Sequence, residues 1–204
     1  MKLKFDNNLQ YQQQAVAAVV DLFKGQMPKQ SEFTVSAFPS QIGTYDSNNG
    51  VGNYLELIDE EILENLQAVQ LRNGLPQSLR LKKNEYDFDI EMETGTGKTY
   101  VYLRTIFELN KRYGFCKFII VVPSLAIKEG VRKSIEIMGD EFRNLYDNVI
   151  FTPFVYDGTK PESIRDFAVS DNIEIMIINI SRPKIITISP FDFAISEIFS
   201  FVAN

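Results

Sequence analysis

The chain has 204 residues, of which 45% are hydrophobic and 24% charged, a length and composition that suit one well-buried globular domain. It contains no histidine and one cysteine, Cys116, which excludes Ser–His and Cys–His nucleophilic catalysis, an internal disulfide and a Cys/His zinc site. The formal net charge of −6 argues against general adhesion to nucleic acid but leaves room for a local basic groove. The chain starts without the apolar core of a signal peptide and has no run long enough to span a membrane, so we expect a cytoplasmic protein with no membrane partner.

The first predicted element is a helix from Leu9 to Phe23, because its apolar residues recur at helical spacing. Gln12 lies four positions before Val16 of this apolar stripe, so we expect it to project inward rather than into water. The chain between Gly25 and Gly52 is polar, rich in Ser, Gly, Pro and Asn, and without a clear period. This composition predicts a loop or a loosely ordered insertion.

A second helix is predicted to begin at Asn53, where Glu56 is placed to complete a capping box. Asn73 and Gly74 form a typical end for this helix. Its apolar stripe consists of Leu55, Ile58, Ile62, Leu66 and Val69.

From Asp87 onwards, predicted strands alternate with predicted helices. The strands are 88–92, 118–122, 149–156 and 173–180, and the helices are 99–113, 125 to about 138, and 162–168. Helix 99–113 carries one row of apolar side chains: Tyr102, Ile106, Leu109 and Tyr113. The run 118–122 is continuously apolar, which is typical of a strand buried on both faces. The alternation predicts a parallel sheet with right-handed crossovers and a ligand site at the carboxyl ends of the strands.

A glycine-rich run from Thr94 to Thr99 joins the first of these strands to its helix. Gly95 and Gly97 let the backbone curl so that successive N–H groups point inward, and the helix adds its positive end. Lys98 can then reach the β- and γ-phosphates of a nucleotide, and the Thr99 hydroxyl can bind the accompanying Mg²⁺. The alternative is a tight glycine turn before an ordinary helix, and the strand before it and the helix after it favour the phosphate loop.

Three further polar positions suit a nucleotide-driven motor on nucleic acid. The amide of Gln12 matches the hydrogen-bonding edge of adenine, although the residues alone favour a capping or packing role. Ser124 stands at a helix start, where it can contact a nucleic-acid phosphate or simply cap the helix, and the sequence leaves both open. Asn179 ends the last strand, where an ordinary satisfied strand-end role is the better interpretation. Cations that could add contacts follow Ser124 on its helix: Lys128, Arg132 and Lys133.

The run from Phe88 to Lys111 resembles the first helicase motif of type III restriction enzyme Res subunits, and 118–131 resembles their next motif. The segments 9–12 and 21–23 are similar to their adenine-reading segment, so the likeness covers roughly residues 5–180. The general phosphate-loop pattern has a glycine where this chain has Met92, but Met92 is acceptable in this family. These enzymes are superfamily 2 ATPases that pair with a methyltransferase (Mod) subunit, move or signal along DNA using ATP, and cleave it with a separate nuclease domain.

The resemblance implies an α/β chain with an incomplete P-loop NTPase (RecA-like) parallel sheet flanked by helices. It divides the chain into an N-terminal helical segment with the adenine-reading motif and insertion (1–85), a partial ATP-binding domain (86–180) and an atypical tail (181–204). It implies ATP and Mg²⁺ as cofactors and double-stranded DNA and a Mod subunit as partners. The residues implied for nucleotide and Mg²⁺ are Gln12, Thr94, Gly95, Thr96, Gly97, Lys98 and Thr99, the last as the Mg²⁺ ligand, and those for DNA are Ser124 and Lys128.

The family also requires an adjacent Asp-Glu pair at the end of a later strand, where it positions Mg²⁺ and polarises the attacking water. We find no such pair, since Asp192 and Glu197 are too far apart, so no catalytic residue is identified. The tail is rich in Phe and Ile, which would be costly if exposed. We therefore expect a truncated or interrupted gene product that binds nucleotide weakly and hydrolyses little. The alternatives are a non-motor P-loop NTPase, whose nucleotide binding would not respond to DNA, and a partner-binding remnant.

Overall fold

The computed structural model describes residues 9–34, 49–81, 86–156 and 161–179, and the predicted tail lies outside these ranges. The helices are α1 (Gln10–Val20, continued by a 3₁₀ turn, Asp21–Phe23), α2 (Asp59–Arg72), α3 (Lys98–Tyr113), α4 (Leu125–Leu145) and α5 (Pro161–Val169). The strands are β1 (Gln30–Thr34), β2 (Asn49–Asn53), β3 (Lys117–Val122), β4 (Phe151–Val155) and β5 (Ile173–Asn179). None of the helices in these ranges combines the length and the apolar content that crossing a membrane requires.

The central sheet is parallel and has the strand order β3-β5-β4. Helix α4 connects β3 to β4, and α5 connects β4 to β5, so each connection between these parallel strands is a helical crossover. The middle strand is apolar and buried, with Ile175 and Ile177 fully inaccessible to solvent. The prediction of a parallel sheet built from alternating strands and helices is therefore confirmed for these elements.

Aromatic rings fill the space between the sheet and its helices. Phe107 of α3 stacks on Phe142 and Tyr146 with centroid distances of 4.8 and 5.2 Å, and it meets Phe151 of β4 edge-on at 5.1 Å. These geometries are the ones aromatic pairs prefer, and burial of the large rings supplies much of the packing energy. The predicted inward row of α3 is confirmed, since Tyr102, Ile106, Leu109 and Tyr113 are all buried.

The predicted insertion contains a two-stranded ribbon. Strands β1 and β2 pair antiparallel, with Ser31 opposite Gly52, so the prediction of a loop is wrong for residues 30–34 and 49–53. Its sequence is polar and holds glycines at positions 50 and 52, so it carries no alternating apolar pattern that could reveal a strand. Residues 35–48 lie outside the described ranges.

Asn53 does not cap α2, which corrects the predicted helix start. The helix begins at Asp59, where the Glu61 carboxylate accepts a hydrogen bond from Ile58 N at 3.0 Å. Ile58 is 58% exposed and does not belong to the inward stripe. At the other end the prediction holds, because Gly74 follows the helix with a left-handed φ of 69°.

The Asn53 carboxamide instead joins the ribbon to the central sheet. Its Oδ1 accepts from Cys116 N at 2.6 Å and Lys117 N at 3.1 Å, and its Nδ2 donates to Lys117 O at 2.7 Å. Asn53 is 5% exposed, so these bonds satisfy backbone groups that have little access to water.

Two buried charges lie at the amino ends of the parallel strands. Lys117 of β3 stands opposite Glu174 of β5, and its Nζ donates to Ser170 O. Burial raises the pKa of Glu174 and lowers the pKa of Lys117, and in each case it outweighs the attraction between the two groups. The pair lies at the end of the sheet opposite the predicted ligand edge.

Two further boundaries differ from the prediction. Residues 88–92 form no hydrogen-bonded ladder with other described residues, so the predicted first strand is not confirmed. Helix α4 continues past Met138 to Leu145, because Phe142 extends the buried row of Val131, Ile135 and Met138 by one more turn.

Candidate nucleotide-binding site

The glycine loop, residues 93–97, leads from segment 88–92 into helix α3. Gly95 and Gly97 have φ values of 83° and 84°, in the left-handed region that favours glycine. The Glu93 carbonyl accepts from Thr96 N at 3.4 Å and from Thr96 Oγ1 at 2.7 Å, which closes the turn. The two glycines thus occupy positions at which the backbone conformation itself demands them.

Gln12 of α1 holds this loop from the side. Its Nε2 donates to Thr96 O at 2.9 Å, and the residue is only 6% exposed. Because C=O and N–H point in opposite directions in a trans peptide, this bond directs the Gly97 N–H away from Gln12. A Cβ on Gly97 would lie 2.6 Å from Gln12 Nε2, so a larger residue there would displace the Gln12 amide. The prediction that the Gln12 side chain projects inward is confirmed, whereas recognition of adenine by Gln12 stays a prediction.

The first turn of α3 presents its backbone N–H groups at the glycine loop. Val101 N donates to Gly97 O at 3.1 Å, so the N–H groups of Lys98, Thr99 and Tyr100 precede the first bond within the helix. Such N–H groups and the positive helix end favour phosphate, and Lys98 adds a full charge beside them. The loop therefore fits a polyphosphate, although the roles of Thr94 through Thr99 stay predictions.

Tyr102 is a buried residue of the same helix. It lies one helical turn after Thr99 and is 7% exposed. Burial raises the pKa of Tyr102 to about 12.

The described residues offer Mg²⁺ few protein ligands. None of their Asp, Glu and Cys side chains form a group of three or more that could hold a metal ion. Mg²⁺ in nucleotide sites keeps several waters and binds phosphate oxygens, so one hydroxyl such as that of Thr99 fits this role.

A cavity of about 1130 Å³ lies beside the glycine loop, between α1, α2 and residues 87–96. Its carboxylates come from Asp87, Asp89, Glu91 and Glu93, and none of the described residues lining it is a lysine or an arginine. This charge disfavours phosphate inside the cavity. The half-exposed ring of Tyr11 also lines it, so an uncharged aromatic group suits it better.

The second group of predicted residues lies at the carboxyl ends of β3 and β5. Asn179 stands opposite Val122, so it lies near Ser124, two residues beyond β3. Ser124 caps α4, and its hydroxyl accepts from Ile127 N at 3.3 Å. The structure thus shows the capping role and leaves contact with DNA a prediction.

The predicted cations of α4 differ in availability. Lys128 is 9% exposed, so it is not the solvated lysine that a phosphate contact would use directly. Arg132 forms ion pairs with Glu129, at 3.0 Å, and with Glu136. Lys133 is exposed. Among these three side chains, that of Lys133 is therefore the most accessible to a nucleic-acid phosphate.

Comparison with known proteins identifies relatives along most of the chain. The family model described as "Type III restriction enzyme, res subunit" matches residues 7–187. The Res subunit of the type III restriction-modification enzyme EcoPI from Escherichia phage P1 is 34% identical over 197 residues, and that of EcoP15I from Escherichia coli is 32% identical over 192. These alignments cover 86% and 85% of this chain but 19% of each relative, so the chain spans about a fifth of their length.

A shorter alignment is more similar. The Res subunit of the type III restriction-modification enzyme StyLTI from Salmonella typhimurium is 49% identical over 74 residues. This alignment covers 33% of this chain and 8% of that relative.

Proposed function

The chain belongs to the family of type III restriction enzyme Res subunits, and we propose that it forms the ATP-binding part of such a subunit. We further propose that its parallel sheet and glycine loop are part of a P-loop NTPase fold of the RecA-like type. The observation that carries this proposal is the glycine loop itself, with left-handed Gly95 and Gly97 directly before Lys98 in the first turn of α3.

Each residue of the loop has a role that follows from its chemistry. The backbone N–H groups from Gly95 to Thr99 would receive phosphate oxygens, and Lys98 would neutralise the β- and γ-phosphates. The Thr99 hydroxyl would hold Mg²⁺, which would offset part of the phosphate charge. The bond from Gln12 to Thr96 O keeps the loop in the required shape, and the Gln12 amide oxygen would accept a hydrogen bond from adenine.

DNA and a Mod subunit are proposed as partners of the complete protein. The family activity we expect is ATP-dependent movement along double-stranded DNA followed by cleavage. Ser124 and Asn179 would contact the DNA backbone at the carboxyl edge of the sheet, and the exposed Lys133 would add a charge further along α4. We propose that the chain by itself binds nucleotide but hydrolyses little, because the Asp-Glu pair of the family motif is missing from its sequence.

Binding of a fluorescent ATP analogue in the presence of Mg²⁺ tests the proposal. Replacing Lys98 with Ala removes the charge that faces the phosphates, so we expect the affinity to fall by at least about tenfold. Lys111→Ala is the matched control, since Lys111 lies in the last turn of the same helix, above the Tyr146 ring. Equal affinities in Lys98→Ala and the parent would show that the loop has only a structural role.

Duplex DNA then distinguishes a motor fragment from a non-motor NTPase. If α4 and the loop respond to a common DNA ligand, adding duplex DNA should raise the affinity for the nucleotide, because coupling between two sites is reciprocal. An affinity unchanged by DNA would favour the non-motor alternative.

A further inference from the structure

We propose that residues 87–92 are a docking segment, which pairs with an extended polypeptide strand whose cationic residues alternate with aliphatic ones. The docking segment lies directly before the glycine loop and forms one wall of the neighbouring cavity. The inference does not depend on nucleotide binding, because it concerns the chain that precedes the loop.

The backbone of the docking segment has hydrogen-bonding groups without partners in the described part of the chain. None of the other described residues donates to or accepts from its N–H and C=O groups, and no strand of the two sheets pairs with it. Unpaired N–H and C=O groups of this kind are what an exposed sheet edge uses to take up an additional strand. The docking segment therefore has the groups that pairing with another strand requires.

Exposure alternates along the docking segment with the period of a β-strand. Its carboxylates are exposed and its apolar side chains are half-buried: Asp87, Asp89 and Glu91 against Phe88, Ile90 and Met92. Phe88 and Met92 pack against the hydrophobic core. Successive side chains of a strand point to opposite faces, so this pattern places the three carboxylates on one face. A strand that pairs here meets a negative charge at every second residue.

The cavity beside the docking segment supplies room and an apolar wall. Its volume of about 1130 Å³ is larger than the range of about 300–1,000 Å³ that is usual for small-molecule sites. Ala15, Ala18 and Leu22 line it from one face of α1, and Leu66 and Val69 line it from α2. Aliphatic side chains of a docked strand can lose their contact with water against these two helices.

Charge decides which strand fits. None of the described residues that line the cavity is a lysine or an arginine, and no ion pair joins Asp87, Asp89 or Glu91 to another described residue. Opposite charges across a strand pair stabilise it, and like charges destabilise it. The docked strand should therefore direct Lys or Arg toward the carboxylates and aliphatic side chains toward the helices. A second copy of the docking segment is disfavoured, because it would bring carboxylates together.

Binding of synthetic peptides to the full chain tests the proposal. The probe is a short peptide that alternates Lys and Val, and the control peptide has the same composition with every Lys before every Val. We expect the alternating peptide to bind at least about tenfold more tightly, since only its order puts all the charges on one face of an extended chain. Equal binding of the two peptides would mean general attraction to an acidic protein and would overturn the proposal.

Paired substitutions distinguish the docking segment from the net charge of the chain. Asp89→Asn combined with Glu91→Gln should weaken binding of the alternating peptide by about three- to tenfold, as expected for two cross-strand charge pairs. Glu60→Gln combined with Glu64→Gln is the matched control, because it removes the same charge from exposed positions of α2 that do not line the cavity. This control should bind like the parent, and an equal loss in both double variants would contradict the proposal.

Amide hydrogen exchange measured by NMR reports on the strand pairing itself. Alternate N–H groups of a strand point to the same neighbour, so the alternating peptide should slow exchange at every second residue of the docking segment. Unchanged exchange in the peptide complex would show that charge alone holds the peptide, which refutes strand pairing. Slow exchange before any peptide is added would show that another part of the chain already covers the segment, which also refutes it. A chain that binds no ATP would contradict the proposed function and leave these results unaffected.

Discussion

The contact between Gln12 and Gly97 predicts a specific difference between two substitutions in one loop. Gly95→Ala and Gly97→Ala both force a non-glycine residue into the left-handed region, at a cost of about 1–2 kcal/mol each. The Cβ built at Gly95 meets nothing within 4 Å, whereas the one at Gly97 would lie 2.6 Å from Gln12 Nε2. Since Nε2 ends a flexible side chain, Gln12 can move aside, but it then loses its hydrogen bond to Thr96 O, worth about 0.5–1.5 kcal/mol. Gly97→Ala should therefore destabilise the chain by about 1 kcal/mol more than Gly95→Ala.

Urea unfolding of a small set of variants measures this difference. In a Gln12→Ala background the obstacle and the hydrogen bond are both gone, so the two glycine substitutions should then cost the same. The coupling between Gln12 and Gly97 is read from this double-mutant cycle. Equal losses of unfolding free energy for Gly95→Ala and Gly97→Ala in the parent would refute the reasoning. They would mean that the Gln12 side chain moves aside without losing a stabilising contact.

Two further predictions concern the amino end of the sheet. Asn53→Ala removes three buried hydrogen bonds to Cys116 and Lys117, so the free energy of unfolding measured in urea should fall by about 3 kcal/mol. A loss below about 1 kcal/mol would show that water replaces these hydrogen bonds. Burial raises the pKa of Glu174 above its usual 4.5, so the Glu174 carboxyl group binds its proton more tightly in the folded chain than in the unfolded chain. The stability that the protonated Glu174 contributes is therefore lost as the pH rises through the pKa of the folded state. Glu174→Gln should therefore gain stability relative to the parent between about pH 4 and pH 7 in urea titrations, and a constant difference across this range would contradict the assignment.

The elements that could be predicted from the sequence are those whose residue pattern spans only a few neighbouring positions. The apolar run of β3, the helical rows of α3 and the glycine end of α2 each depend on residues a few positions apart, and all are found. The glycine loop was also predictable, because left-handed φ values, a helix start and a following Lys-Thr are read from consecutive residues. The family model matches residues 7–187, so the family resemblance predicted from the sequence is confirmed.

The features that were missed depend on contacts between distant residues. Nothing near Asn53 indicates that its carboxamide binds the backbone at position 117, because that partner lies far along the chain. The β1–β2 ribbon is polar, and its two strands pair across an intervening segment. Hydrophobic periodicity therefore gives no indication of this ribbon. The start of α2 was misplaced for a different, local reason, since Glu61 and not Glu56 offers the capping carboxylate.

The position of Gln12 shows that packing and function need not be alternatives. It is buried, as a packing residue should be, and it makes its hydrogen bond to the carbonyl of the loop that we propose to bind phosphate. Behind it, Phe23 packs edge-on against Tyr113, and Tyr113 donates to Val20 O, so α1 is fixed to α3 at both ends of their contact. The division of the chain near residue 85 stays a prediction about motifs, but the hydrophobic core is continuous across it. Loosening α1 should therefore change the shape of the glycine loop even where no loop residue is altered.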